Sequence, residues 1–408
     1  MECGLLGRKL GHSYSPQIHD LLDTYRYTLF EKEPEEVEGF LKSGCFQGLN
    51  VTMPYKQTVI PFLDALSPTA KALGAVNTIV RRKDGSLIGH NTDYFGFSYL
   101  LRASGLKVAG KKVLVLGTGG ASKPVVAVLR EAGARVVSIS RTGEENYENL
   151  HRHGDAAVIV NTTPVGMYPG NGEAPLSLDG FPRLEGVLDI IFNPARTALL
   201  LQAEKRRLVA MGGLRMLVAQ AKESSQWFTG KAIDDGKIDK IHRILTTQMQ
   251  NIALIGMPGC GKSTIASLLA EKLGRKVADA DEAIVALAGK SIPEIFAQDG
   301  EEAFRHLETQ VLGEQGKASG TVIATGGGCV TREENLPLLH QNSQIFWLRR
   351  DIRSLPIHGR PLSQSGSLEA MYARREPLYA RFADHIVDND GTPEETVAAI
   401  LGAMEARL

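Results

Sequence analysis

Lys262 and Ser263 close the run Gly256-Met257-Pro258-Gly259-Cys260-Gly261-Lys262-Ser263-Thr264, a spacing suited to holding phosphate. Apolar Ile252-Ala253-Leu254-Ile255 comes before it and Ile265 to Leu273 after it, so a strand, a glycine loop and a helix follow in that order. Backbone N–H groups from Gly259, Cys260, Gly261 and Thr264 can wrap a β-phosphate, and the helix dipole favours negative charge there. Lys262 can reach the β/γ oxygens, and the Ser263 hydroxyl can ligate Mg²⁺. The chemistry to expect is phosphoryl transfer from a nucleotide. Downstream, Val277-Ala278-Asp279-Ala280-Asp281 places two carboxylates at alternate positions of an expected strand end. On one face of a strand, one could serve Mg²⁺ and the other a substrate hydroxyl.

A phosphate loop normally opens a domain, so the roughly 250 residues before it form something else. There, Lys112-Val113-Leu114-Val115-Leu116 runs into Gly117-Thr118-Gly119-Gly120-Ala121, and a helical pattern continues to about Ala132. Strands at Arg135 to Ile139, Ala157 to Val160 and Val187 to Ile191 continue the series, a doubly wound βαβ pattern. The third glycine of a dinucleotide fingerprint is missing, but Ser140-Arg141-Thr142 ends the second strand. A guanidinium there suits a 2′-phosphate where an acidic residue would hold a ribose hydroxyl. Lys231 to Gln250 reads as helical, and Asn251 starts the next strand, so the linker is short.

The 408 residues allow two or three domains, and 46 basic against 46 acidic residues leave no field to recruit nucleic acid or an anionic membrane. No apolar run reaches a membrane span and the start lacks a secretory segment. Four scattered cysteines without a CxxC pair fit reduced thiols, so a cytoplasmic enzyme is expected.

Six segments in register carry a more specific signal: Gly11 to His19, Gly48 to Lys56, Gly74 to Thr78, Gly89 to Gly96, Asn161 to Met167 and Met216 to Gln220. Together they resemble shikimate dehydrogenase across nearly all of residues 1 to 245. The resemblance implies that Lys56 and Asp93 form an acid–base couple for reduction of a ring ketone, with Ser13 and Ser15 on the substrate carboxylate. Thr52, Asn77 and Gln220 would hold ring hydroxyls. Gly117, Gly119, Gly120, Ala121, Ser140, Arg141, Thr142 and Gly213 would hold the NADP cofactor. Phe192 stands where the family usually has Tyr, Ser140 where Asn is common, and the second basic residue of a full phosphate clamp is missing. An NAD-using quinate/shikimate dehydrogenase is therefore the alternative.

Residues 251 to 408 resemble shikimate kinase through the phosphate loop, Asp279 and Asp281, Phe304-Arg305, Gly326-Gly327-Gly328, Arg360-Pro361-Leu362 and Arg375. The resemblance implies ATP and Mg²⁺, with Ser263 and Asp279 at the metal, Asp281 on the attacking hydroxyl, and Arg305, Gly327 and Arg375 clamping the acid. Arg360 would close over the γ-phosphate from a lid between Arg353 and Glu369, and Arg375 is expected just after a short helix. The whole reads as an α/β chain in three domains. Residues 1–103, with 214–245 returning to them, bind substrate; 104–213 form a Rossmann-like NADP domain; 250–408 form a P-loop kinase. Small molecules (3-dehydroshikimate, shikimate, ATP) are the expected partners, with a monomer expected for the kinase half. A silent shikimate-sensing half is the reading from another class, and retention of both members of each acid–base couple speaks against it.

Overall fold

The computed structural model describes residues 1–11, 13–355 and 368–406, and its strands form three sheets. Two compact units emerge: Met1–Met167, Glu173–Asn193 and Leu199–His242 make the first, and Tyr168–Gly172, Pro194–Ala198 and Arg243–Leu408 the second.

The first unit holds two sheets. One is mixed, its six strands in the spatial order Arg26–Glu31, Glu2–Gly7, Gly48–Val51, Thr78–Arg81, Leu87–His90, Ala65–Leu66. Its interior strand Gly48–Val51 is buried throughout, as a strand covered on both faces must be. The 16-residue helix Leu214–Thr229 packs on this sheet and on the helices Ser15–Leu22 and Asp93–Ser104. It ends at Gly230, whose φ of 69° closes the last turn in the left-handed region. The chain after residue 213 thus returns to the sheet made by the first hundred residues.

The second sheet is wholly parallel, ordered Val209–Met211, Gly186–Asp189, Val158–Asn161, Lys112–Leu116, Arg135–Ile139. Strand order reverses beside Lys112–Leu116, between it and Val158–Asn161. In such sheets that switch point opens a crevice at the carboxyl ends of the strands. Gly117 lies there with φ of 100°, and a Cβ on it would come within 3.0 Å of Thr163 Cγ2.

In the second unit, five parallel strands run in the order Lys276–Asp279, Thr321–Ala324, Asn251–Ile255, Ser343–Arg349, His385–Asp388. Asn251–Ile255 is central and fully buried, and the phosphate loop leaves its carboxyl end. Gly256, Gly259 and Gly261 all have positive φ, so the loop uses the one residue type that takes those angles without strain.

Three sequence expectations are corrected. Asp279 ends its strand, but Asp281 belongs to the first turn of the helix Ala280–Ala288, so the pair does not alternate along one strand. Asp279 caps that helix, accepting from the backbone N–H of Asp281 at 2.9 Å; capping chemistry overrides a two-residue period. Arg375 lies inside the helix Leu368–Phe382, which runs on through Pro377. Between Lys231 and Gln250, helix begins only at Gly236.

Candidate active sites

In the first unit a cleft of about 540 Å³ lies beside the carboxyl end of the strand Gly48–Val51. Lys56 comes from the turns that follow this strand, and Asp93 opens the helix Asp93–Ser104, where the dipole favours a carboxylate. Their side chains meet, Lys56 Nζ to Asp93 Oδ2 at 2.7 Å, both mostly shielded from solvent. Ser13, Ser15, Thr52, Asn77 and Gln220 line the same cleft, as do Ala121 and Gly213 from the cofactor side. The chain thus brings a cation–carboxylate couple, two hydroxyls at a helix start and two carboxamides around one space. Phe192 lines it too, its ring edge-on to Tyr14 at 6.0 Å.

Gly117, Gly119, Gly120, Ser140, Arg141 and Thr142 do not line this cleft; they cluster at the carboxyl ends of the parallel strands. A Cβ on Gly119 or Gly120 would meet nothing within 4 Å, so the glycine turn faces open space that a dinucleotide's phosphates can fill. Arg141 is exposed, whereas Ser140 Oγ is engaged, accepting from Gly143 N–H at 2.7 Å. Gly213 is required for packing, because a Cβ there would collide with the carbonyl of Ile190.

In the second unit a cleft of about 640 Å³ is lined by Gly259, Gly261, Lys262, Ser263 and Thr264 on one side. Asp279, Asp281, Arg305, Gly327 and Arg375 complete it. Cys260 is fully buried and can offer only its backbone. The Lys262 ammonium donates to its own loop, to the carbonyls of Gly256 at 3.0 Å and Met257 at 3.1 Å. Ser263 Oγ donates to Asp279 Oδ2 at 2.8 Å. With Asp281 on the same cleft wall, these hard oxygen donors suit Mg²⁺. Arg360 lies outside the described residues.

Arg305 and Arg375 are both buried. Arg375 donates to the Gly327 carbonyl at 3.1 Å, and Tyr379 donates to the same oxygen at 2.5 Å. Arg305 pairs with Glu308 at 2.7 Å and with the half-exposed Glu301 at 3.3 Å. Burial pushes the Glu308 carboxyl above its ordinary pKa, Arg305 pulls it down, and the Asp281 carboxylate adds to the rise. Glu308 lines the second cleft and Asn50 the first, and sequence reasoning singled out neither. For Glu308 a signal existed, since a carboxylate three residues after Arg305 shares its helix face.

The first half of the chain has close relatives. The NADP(+) shikimate dehydrogenase of Clostridium perfringens (strain SM101 / Type A) is 34% identical over 264 residues, covering 59% of this chain and 97% of that protein. The chain belongs to the shikimate dehydrogenase family. Residues 5–79 match the shikimate dehydrogenase substrate binding domain. Among solved structures, a chorismate mutase/shikimate 5-dehydrogenase fusion protein from Clostridium acetobutylicum is similar at 34% identity and a TM-score of 0.57. That match covers 60% of this chain and 96% of the other. Shikimate 5-dehydrogenase from Thermus thermophilus, solved in complex with NADP(H) and shikimate, is 31% identical with a TM-score of 0.55, covering 60% and 99%. Beyond this shikimate dehydrogenase half, residues 258–405 match the shikimate kinase family. The chain is therefore a bifunctional shikimate-pathway enzyme, an oxidoreductase fused to a phosphotransferase.

Proposed function

We propose that the first half reduces 3-dehydroshikimate to shikimate and that the second phosphorylates shikimate to shikimate 3-phosphate. The observation that carries the first reaction is the Lys56–Asp93 pair at 2.7 Å, set in a cleft with hydroxyl and amide side chains around it. Lys56 Nζ gives a proton to the developing alkoxide, and Asp93 orients the Lys56 side chain through their 2.7 Å contact. Ser13 and Ser15 hold the carboxylate; Thr52, Asn77 and Gln220 hold ring hydroxyls, and Asn50 on the same cleft wall joins them. Gly117, Gly119 and Gly120 make room for the dinucleotide, Ala121 and Gly213 border it, and Ser140, Arg141 and Thr142 take the 2′-phosphate side.

In the kinase half Asp281 accepts the proton of the attacking hydroxyl, while Arg305, Arg375 and the Gly327 turn seat the acid. Lys262 leaves its loop carbonyls for phosphate oxygens, a short move for a flexible side chain. Ser263 and Asp279 are the residues that would hold Mg²⁺, and Arg360 takes the lid role that the sequence gives it. When bound, NADPH supplies the hydride and Mg²⁺ offsets phosphate charge. Among the described residues no helix is long and apolar enough to cross a membrane.

The test follows NADPH absorbance with 3-dehydroshikimate, then adds ATP and looks for shikimate 3-phosphate. Lys56→Ala should abolish the first reaction and spare the second, and Lys262→Ala the reverse, since each lysine meets charge in its own transition state. Near-normal reduction by Lys56→Ala would refute the acid–base assignment.

A further inference from the structure

Behind the carboxamides of the dehydrogenase cleft lies a closed group of three hydroxyls, from Thr78, Thr92 and Ser224. All three residues are buried, Thr78 and Ser224 completely. Ser224 Oγ stands 2.8 Å from Thr78 Oγ1 and 2.9 Å from Thr92 Oγ1, and the two threonine oxygens are 3.2 Å apart. Ser224 brings this oxygen from the helix Leu214–Thr229, one turn after Gln220.

The protons in this group can be counted. Ser224 Oγ lies 2.9 Å from the Gln220 carbonyl, which can only accept, so the single serine proton goes there. Two lone pairs of the serine oxygen are then left to accept from its other neighbours. Asn50 Nδ2 donates to one of them at 2.8 Å. The same orientation of the Asn50 amide turns Nδ2 toward two more distant acceptors, Thr78 Oγ1 at 3.2 Å and the Asn77 carbonyl at 3.3 Å. At the other end, Tyr27 Oη donates to Asn50 Oδ1 at 2.8 Å. Both amide protons of Asn50 are spent inside the protein, and what it can offer the cleft is the remaining lone pair of Oδ1.

We infer that Ser224 is a positioning residue for substrate recognition, holding Asn50 so that it meets the cleft as a hydrogen-bond acceptor. A buried serine that only filled space would not need four polar neighbours. Removing its oxygen takes away the nearest of the three acceptors around Asn50 Nδ2, leaving Thr78 Oγ1 at 3.2 Å and the Asn77 carbonyl at 3.3 Å, so the amide turns more easily. An acceptor replaced by a donor loses the matching substrate hydroxyl, and sites of this kind discriminate strongly because an unmatched polar group is costly. The inference rests on the substrate site proposed above for the dehydrogenase half.

Steady-state oxidation of shikimate by the full-length chain tests it, comparing Asn50→Ala, Ser224→Ala and the double variant. Ser224→Ala should raise KM for shikimate about 5- to 20-fold and change kcat by no more than about 2-fold. KM for NADP⁺ and the kinase turnover of the same chain should not move. Because Ser224 acts through Asn50, the double variant should match Asn50→Ala alone, whereas independent structural effects would multiply. Should Ser224→Ala lose kinase turnover and solubility as well, Thr78→Val removes at constant volume a second hydroxyl, 3.2 Å from Asn50 Nδ2, and takes its place. Multiplicative effects, or an unchanged KM while Asn50→Ala raises it, would overturn the inference and leave the substrate site standing. If Asn50→Ala itself leaves KM unchanged, Asn50 is not a ligand and both fall.

Discussion

Glu308→Gln in the kinase half isolates the charge of one buried ion pair. Glu308 is fully buried, and its carboxylate sits 2.7 Å from an Arg305 guanidinium that is nearly as buried. Glutamine keeps the volume and an acceptor but removes the charge, leaving Arg305 with Glu301 at 3.3 Å, half in solvent. Breaking a buried pair costs about 3–5 kcal/mol, so with an acceptor and a second carboxylate retained a loss of roughly 2–3 kcal/mol is expected. With a denaturant slope of about 2 kcal/mol/M, the urea midpoint of this unit should fall by roughly 1–1.5 M. The chain has two tryptophans, and Trp347 is buried in the kinase core. In a Trp227→Phe background its fluorescence reports on this unit. KM for shikimate should rise in the same variant, because Arg305 loses its anchor. A midpoint shift below about 0.3 M with an unchanged KM would refute the view that this carboxylate holds the clamp.

Two more expectations follow from the first unit. Arg141→Ala should raise KM for NADPH far more than for NADH, the loss of charge-assisted bonds worth roughly 1.5–3 kcal/mol, and equal effects on the two cofactors would remove Arg141 from the 2′-phosphate site. Acid should strike this unit through its buried histidines. Burial lowers the His19 pKa to about 3 and the His90 pKa to about 4. Both stay neutral when folded but take up protons near pH 6.5 when unfolded. Their contribution is complete above that pH and is lost as pH falls toward 4, at roughly 1.4 kcal/mol per pH unit for each. Thermal unfolding followed through loss of dehydrogenase activity should show Tm dropping between pH 6.5 and 4.5, and replacing His19 by Gln should flatten the slope; a slope unchanged by that substitution would exclude His19 as its source.

Much of the chemistry was legible because it is local. The phosphate loop needs positive φ at fixed positions, so Gly256, Gly259 and Gly261 mark it in any sequence that builds one. The glycine turn at Gly117 and the alternation of strands and helices are local in the same sense, and each is where the sequence places it. Asp279 and Asp281 show the limit. A two-residue period put them on one strand, yet Asp279 satisfies a helix start and Asp281 lies in the helix; only their arrival at the same cleft agrees with the expectation.

What the sequence by itself determined is therefore the set of reactive groups and the backbone turns that carry them. These depend on residue type and on neighbours a few positions away. Tertiary structure alone decided which groups meet and in what orientation. Lys56 reaches Asp93 across 37 positions, and Asn50 finds Ser224 across 174, by way of a helix that returns to a sheet built from the first hundred residues. No periodicity encodes that return. It follows from burying the apolar face of Leu214–Thr229 against the sheet, and the polar atoms trapped by that burial must then satisfy one another.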